Sequence, residues 1–549
     1  MTSLVGRVDA EDGAILAQLE LGSQVVDWCL RSAGRAERRG NLEAAAHWAR
    51  IAAWVGHRAP FPYLCSPDLE RVIARLSARV PRVVQVRHAR RQRRWLHVLS
   101  VTYAIGGHTA LLRRWIQRNP HGDRHDLVLT GQPIEQLEPR LRSAVVASGG
   151  QAASIATERS LFRRAALLRD AGASADVVVL HIDPWDITPS VAFGQGGGPP
   201  ILLLNHQDHA FWAASGSIDL VVDIRTSGQH LTRKYRGAPA SFELPVPLED
   251  NGEAPNDRTR VAHRLRFGAG AGAGPLLLTI GRAEKYVPNS RLDFIQAAER
   301  ILTDLPEARL VAVGPSEDDP KWQSLAARTN GRALAVGEDA VLEHWHAAAD
   351  LYLEGFPIGS YTALLETALA GRPVVRKPLL VPPEVLPMDQ GALAGITVPV
   401  DPDDYVRAAL DLVGDVDGRR RQAAENRDSM LRHHCGAAWD QRLTGLGERL
   451  PSEHDPTVRS DVPPIPFELA AYWARYRASR GNRDAFMIAF LAGLERGLHP
   501  RVDAAMFGAL TAGREAGALS VGPAKALIGS WGLSALPGPI AHGLYRILP

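Results

Sequence analysis

The sequence predicts an α/β protein: two Rossmann-like domains with helical additions at the N- and C-terminal ends. Three observations lead there. Apolar runs of strand length alternate with amphipathic helical runs from Trp95 to Leu248, and the alternation starts afresh at Pro275. In each half the first strand leads into a glycine-containing loop and then a helix, Gly106-Gly107 in one and Gly281-Arg282 in the other. That is where a doubly wound sheet brings a ligand to a helix N-terminus. Finally, 549 residues exceed what one core of ordinary size holds. The expected division is a helical region over 1–90, a first Rossmann-like domain over 91–247 and a connection over 248–269. A second Rossmann-like domain follows over 270–448, then a linker over 449–465 and a helical region over 466–549.

Composition narrows the function classes. With 45% hydrophobic and 22% charged residues and a net charge of +3, the chain reads as globular, and bulk charge gives no argument for nucleic acid. The cations are nearly all arginine, a bias expected of a GC-rich bacterial source. Only Lys234, Lys285, Lys321, Lys377 and Lys525 are lysine. Cys29, Cys65 and Cys435 are too few and too far apart for a zinc site or a disulfide framework, which fits a reducing cytoplasm. Asp9, Glu11 and Asp12 argue against a signal peptide, and no apolar run reaches the ~20 residues of a spanning helix.

Taken in order, Val25 to Arg39 and Leu42 to Val55 are two helical runs about a Gly40-Asn41 turn. They resemble half of a tetratricopeptide unit, but a lone unit favours a helical cap packed on the next domain. The basic stretch Arg87 to Arg94 lacks interleaved aromatics. Trp95 to Val101 is a strand and Ala110 to Arg118 a helix. Between them lies Gly106-Gly107-His108, in which His108 is either structural or a catalytic or positioning group. Later strands end in polar residues: His181 and Asp183 after Asp176–His181, and His206, Asp208 and His209 after Ile201–Asn205. Ligands of open α/β sheets collect at such strand ends. The His206–His209 cluster reads three ways: a base oriented by Asp208, loop residues bonded to backbone, or part of a metal site. The base or acceptor-binding reading is preferred.

The second half opens with Pro275–Ile280, Gly281-Arg282 and Lys285, followed by a helix over Ser290 to Leu302. Glu317-Asp318-Asp319 reads as a solvated turn. Residues 350–375 form strand, loop, helix, turn and strand. Gly355, Pro357 and Gly359 open the loop, Ser360 or Thr362 caps the helix, and Gly371 ends it. Free backbone N–H groups at that helix start suit a phosphate, and Glu366, one turn further in, suits a diol such as a ribose.

This stretch resembles the donor-sugar motif of GT-B glycosyltransferases. Glu354, Pro357, Thr362, Glu366, Leu369, Ala370, Gly371, Pro373 and Val374 fall in register with a donor loop of the O-GlcNAc transferase type. Gly359-Ser360-Tyr361 departs from the centre of that loop, and Ala363 replaces a second Thr. The resemblance implies two domains facing across a cleft and transfer of a hexose or N-acetylhexosamine from a nucleotide-diphosphate sugar, such as a UDP-sugar, to an acceptor hydroxyl. It implies that Arg282 and Lys285, with Gly359, Ser360, Tyr361 and Thr362, hold the diphosphate. Glu366 would hold the ribose, Glu354 would lie near the sugar, and Gly106 and Gly107 would face the donor across the cleft. His108, His206, Asp208 and His209 would face the acceptor: a glycan, a lipid-linked or small molecule, or a protein. No metal and no resident cofactor is expected, and no nucleic-acid partner. The terminal helices, including Ile488–Leu498, Ala504–Ala516 and Ile528–Leu548, either pack on the body or make a peripheral membrane or protein contact. The alternatives are a nucleotide-sugar epimerase or other catalyst of the same fold, and a non-catalytic scaffold.

Overall fold

Strands buried on both faces are continuous apolar runs rather than alternating ones, and parallel sheets covered by helices on both sides require this. The computed structural model, which describes residues 10–83, 92–103, 106–250, 252, 261–262, 264–265 and 274–479, has two such sheets. The first holds β1 (Arg94–Leu99), β2 (Arg124–Leu129), β3 (Ala152–Ser154), β4 (Val177–His181), β5 (Ile201–Asn205), β6 (Leu220–Asp223) and β7 (Ser241–Glu243). Their order is β3-β2-β1-β4-β5-β6-β7, all parallel. The second holds β8 (Leu276–Ile280), β9 (Arg309–Val313), β10 (Ala333–Ala335), β11 (Leu351–Leu353) and β12 (Val374–Val375), ordered β10-β9-β8-β11-β12 and again parallel. The two Rossmann-like domains face each other across a cleft, the GT-B arrangement expected from the sequence.

In each sheet the order reverses direction once, between β1 and β4 and between β8 and β11. Loops diverge there and leave a crevice beyond the strand ends. Register sets this edge: Leu99 pairs with Leu129 on one side and His181 on the other, so the loops after β1 and β4 start level.

The N-terminal helices Ala10–Arg38 and Leu42–Arg58 meet at Gly40, whose φ of +73° suits glycine, and at Asn41, whose side chain accepts from the Ala44 N–H at 3.0 Å. Their small inner residues, Ala45, Ala49 and Ala52, pack into the same core as Phe211 and Trp212 of the first domain. The first helix begins at Ala10, well before the apolar run at Val25. Its extra turns are held by tertiary contact: Ile15 and Leu19 lie in a core shared with the second domain and with helix Phe467–Ser479.

Two further connections tie the domains together. Helices Val416–His434 and Gly436–Glu448 return to the first domain, where the Trp439 indole N–H donates to the Pro245 carbonyl at 2.7 Å and Trp439 meets Trp115 edge-on. The following stretch is pinned by His454, whose ring nitrogens lie 2.8 Å from an Asp219 carboxylate oxygen and 2.6 Å from the Phe193 carbonyl. Helix Phe467–Ser479 then spans the two halves. The Tyr472 hydroxyl donates to the Pro357 carbonyl at 2.7 Å, and Arg475 pairs with Glu11 and Asp12. Among the described residues no helix is long and apolar enough to cross a membrane. The tail runs expected over Ile488–Leu498, Ala504–Ala516 and Ile528–Leu548, and most of the basic stretch before β1, lie outside the described residues.

Smaller expectations shift for local reasons. The helix expected from Ser290 starts at Phe294, because Asp293 accepts from the Gln296 N–H at 3.1 Å and so fixes the cap. Asp319, within the expected acidic turn, caps helix Pro320–Arg328 in the same way.

Candidate functional site

The carboxyl ends of the two sheets enclose a cavity of about 1530 Å³ lined by both domains. Sites for single small ligands are usually ~300–1,000 Å³. This one has room for two substrates side by side.

The second domain's wall is built from the ends of β8 and β11. Gly281 has no side chain, so the Ser360 hydroxyl can approach the end of β8; a Cβ on Gly281 would sit 2.7 Å from it. Ser360 precedes helix Tyr361–Leu369 but makes no side-chain cap. Its hydroxyl instead accepts from the Lys285 ammonium at 3.1 Å, while the Gly359 carbonyl lies 3.3 Å from that ammonium. Burial, with Arg282 nearby, pulls the Lys285 pKa down to about 8. A half-desolvated cation thus stands at a helix N-terminus, where dipole and N–H groups both favour an anion. Arg282 is different: its side chain is 58% exposed and its nearest acid is Glu284 at 3.2 Å, so it stands at the rim.

Glu354 is almost fully buried, and its carboxylate accepts the Lys377 backbone N–H at 3.0 Å. Burial lowers the Lys377 pKa, and the Glu354 charge partly offsets this. Glu366 lines the cavity but is also engaged from the opposite wall: Arg114, on the helix after β1, donates to it at 2.6 Å. The ion pair joins the two domains where a ribose was expected. Tyr361 is covered as well, with the Arg225 guanidinium 5.0 Å from its ring centre. Thr362 faces Gly107 so closely that a Cβ on Gly107 would lie 2.5 Å from its hydroxyl. The glycine there is what lets the walls meet.

On the first domain's wall Gly106 has a φ of +147°, and His108 stacks on His206 at 4.0 Å. Burial drives the His108 pKa well down, and that of His206 to about 4, so both rings are neutral at pH 7. Asp208 was expected to orient a histidine. Its main partner is Arg225, through two hydrogen bonds of 2.5 and 2.8 Å, and it lies 3.4 Å from His209. His209 stacks on Trp473 of the tail helix at 4.3 Å.

Several residues at the site were invisible or unassigned in sequence. Arg114 and Trp473 come from helices whose faces only packing reveals. Lys377 had a signal in the scarcity of lysine. Behind the site, His97 lies 3.0 Å from both His125 and His181 across β2, β1 and β4. This chain of imidazoles is set by parallel register, which no local pattern reports.

Residues 274–415 match the family model of glycosyl transferases group 1. Similar solved structures include HepE of Anabaena in complex with UDP and glucose, at 13% identity and a TM-score of 0.49 over 65% of this chain and all of that one. A mutant O-GlcNAc transferase of Thermobaculum terrenum is similar at 14% identity and a TM-score of 0.46, over 84% and 85%. A glycosyltransferase of Rickettsia africae is similar at 11% identity and a TM-score of 0.48, over 65% and 98%. No curated protein matches the chain.

Proposed function

We propose that the protein is a glycosyltransferase that moves a sugar from a nucleoside-diphosphate sugar to an acceptor hydroxyl held on the opposite wall of the cleft. The observation that carries this reading is Lys285 against Ser360 at the start of helix Tyr361–Leu369, inside the stretch that matches the group 1 family model. When the glycosidic bond breaks, the departing diphosphate gains charge. A fixed ammonium and aligned N–H groups stabilise that charge most in the transition state. Arg282 at the rim folds in as a second cation, and Glu366 takes the ribose hydroxyls. Glu354, held rigid by the Lys377 N–H, borders the sugar. The span of the cavity, with Gly107 against Thr362, supports close approach of donor and acceptor with water excluded. The hexosyl or N-acetylhexosaminyl class is tested by donor choice.

Thermal-shift titration with UDP, UDP-glucose, UDP-galactose and UDP-N-acetylglucosamine tests this, because a ligand that binds only the folded chain raises its melting temperature. We expect a rise with UDP and a larger one with the true donor, both lost in Lys285→Ala. A wild-type protein that binds none of the four defeats the reading.

A further inference from the structure

Lys285 and Lys377 are two of the few lysines in a chain whose cations are otherwise arginine, and both line the cleft. An ammonium is a compact point charge, where arginine would bring a planar fork. Gly359 stands between the two. Its carbonyl lies 3.3 Å from the Lys285 ammonium, and a Cβ on Gly359 would sit 3.2 Å from Cδ of Lys377. The Lys285 ammonium serves the helix start, through the Ser360 hydroxyl at 3.1 Å. Lys377 is tied to Glu354 instead, to which its backbone N–H donates at 3.0 Å. Glu354 also exerts the largest charge effect on the Lys377 side chain. One lysine thus stands at the diphosphate end of the loop and the other at the carboxylate that borders the sugar.

Among the described residues no hydrogen bond or ion pair holds the Lys377 ammonium, and the carboxylates nearby have other partners. Arg225 and Asp208 of the first domain are close enough to act on its charge, so Lys377 stands where the two walls meet. Asp208 is bound to Arg225 by two hydrogen bonds. Asp389 accepts the Ser227 N–H at 3.1 Å and is shared, 3.8 Å from Arg225 and 3.8 Å from Arg376. Arg376 is only 9% exposed, and its Nε is buried with no acceptor among the described residues. Burial lowers the Lys377 pKa. Glu354 opposes that shift, while Arg225 and Arg376 add to it. Two adjacent cations, one with an unused donor and one with no partner, are therefore held partly out of water. Such charges are costly until an anion joins them.

We propose that Lys377, backed by Arg376, binds an acidic group on the transferred sugar, so that the donor is a nucleoside-diphosphate uronic acid. This rests on the transferase reading above and narrows its donor. With the diphosphate beside Lys285, the sugar ring reaches past Gly359 towards Glu354 and Lys377. Its hydroxyls donate to Glu354, and its carboxylate accepts from the Lys377 ammonium. A neutral hexose would offer that ammonium only hydroxyl oxygens. A charged acceptor makes a hydrogen bond roughly twice as strong.

Calorimetric titration of the full chain with UDP, UDP-glucose and UDP-glucuronate tests this. Wild type should bind UDP-glucuronate about tenfold or more tighter than UDP-glucose. Lys377→Met should bring the two UDP-sugars within about twofold of each other and leave UDP affinity within about twofold of wild type. Lys377→Arg, which keeps the charge, should retain part of the preference. The wild-type comparison stands whether or not a variant folds. Equal wild-type affinity for the two UDP-sugars overturns the proposal, and a preference that survives in Lys377→Met overturns the role of Lys377. The same anion site could instead receive an acidic acceptor. In that case UDP-loaded protein would bind free glucuronate or glucose 6-phosphate but not glucose, with no preference between the UDP-sugars, and the donor assignment falls. A wild-type chain that binds no UDP removes the transferase reading and this one together. A chain that binds UDP and both UDP-sugars equally removes this one alone.

Discussion

Replacing Glu366 by Gln separates its two duties. One carboxylate oxygen accepts from Arg114 at 2.6 Å, and both side chains are largely buried, 13% exposed for Arg114 and 20% for Glu366. If the carboxylate also holds the ribose hydroxyls, the amide loses hydrogen bonds to a charged acceptor. These are worth about 1.5–3 kcal/mol. At about 1.4 kcal/mol per decade, UDP should bind roughly ten- to a hundredfold more weakly. The same substitution leaves the Arg114 charge less well compensated, which costs the fold about 1–3 kcal/mol. Calorimetric titration with UDP and with inorganic pyrophosphate, which has no ribose, tells the two effects apart. The expected result is weakened UDP and unchanged pyrophosphate binding. Arg114→Ala, which frees the carboxylate, should keep or raise UDP affinity. An unchanged UDP affinity in Glu366→Gln, or an equal loss for both ligands, would refute the ribose role and leave Glu366 as an interdomain strut.

Three further outcomes follow from the geometry. UDP affinity should fall as pH rises above about 8, where the Lys285 ammonium of the free protein loses its proton; Lys285→Arg should abolish that fall, and a wild-type profile flat from pH 7 to about 9.5 would contradict it. His97→Leu removes the central ring between His125 and His181 and leaves a buried nitrogen without its partner on each side. Urea denaturation should show a loss of about 2–6 kcal/mol, and a loss under about 1 kcal/mol would argue against the hydrogen-bonded chain. Gly107→Ala brings a methyl group to 2.5 Å from the Thr362 hydroxyl and should prise the walls apart. Turnover should drop by about tenfold while UDP affinity, set on the other wall, stays within about threefold; unchanged turnover would show that the contact is not used.

Much of the fold was legible in the sequence because it is written in short range. The runs Val177–Leu180, Ile201–Leu204 and Leu276–Leu278 are apolar throughout, and parallel strands need that. Gly106-Gly107, Gly281 and Gly371 mark the turns. The cleft-lining loops of the second domain were legible for the same reason: Lys285 follows β8, Ser360 precedes helix Tyr361–Leu369 and Glu366 lies within that helix, so their spacing already implies one wall. The partners that qualify them were not legible. Arg114 reaches Glu366, Arg225 takes Asp208 and covers Tyr361, and Trp473 stacks on His209, each across a separation that no local pattern encodes.

The sequence by itself determined two doubly wound sheets, their glycine-rich loops and a phosphate-ready helix start, since periodicity and turn chemistry act within a few residues. Only the tertiary structure decided which polar side chains are already spoken for. It bound Asp208 to Arg225, tied Glu366 to Arg114, neutralised the histidines by burial and left the Lys377 ammonium without a hydrogen bond among the described residues. Pairing and desolvation depend on what the folded chain brings within a few ångströms, and that is set by register and packing rather than by neighbours in sequence.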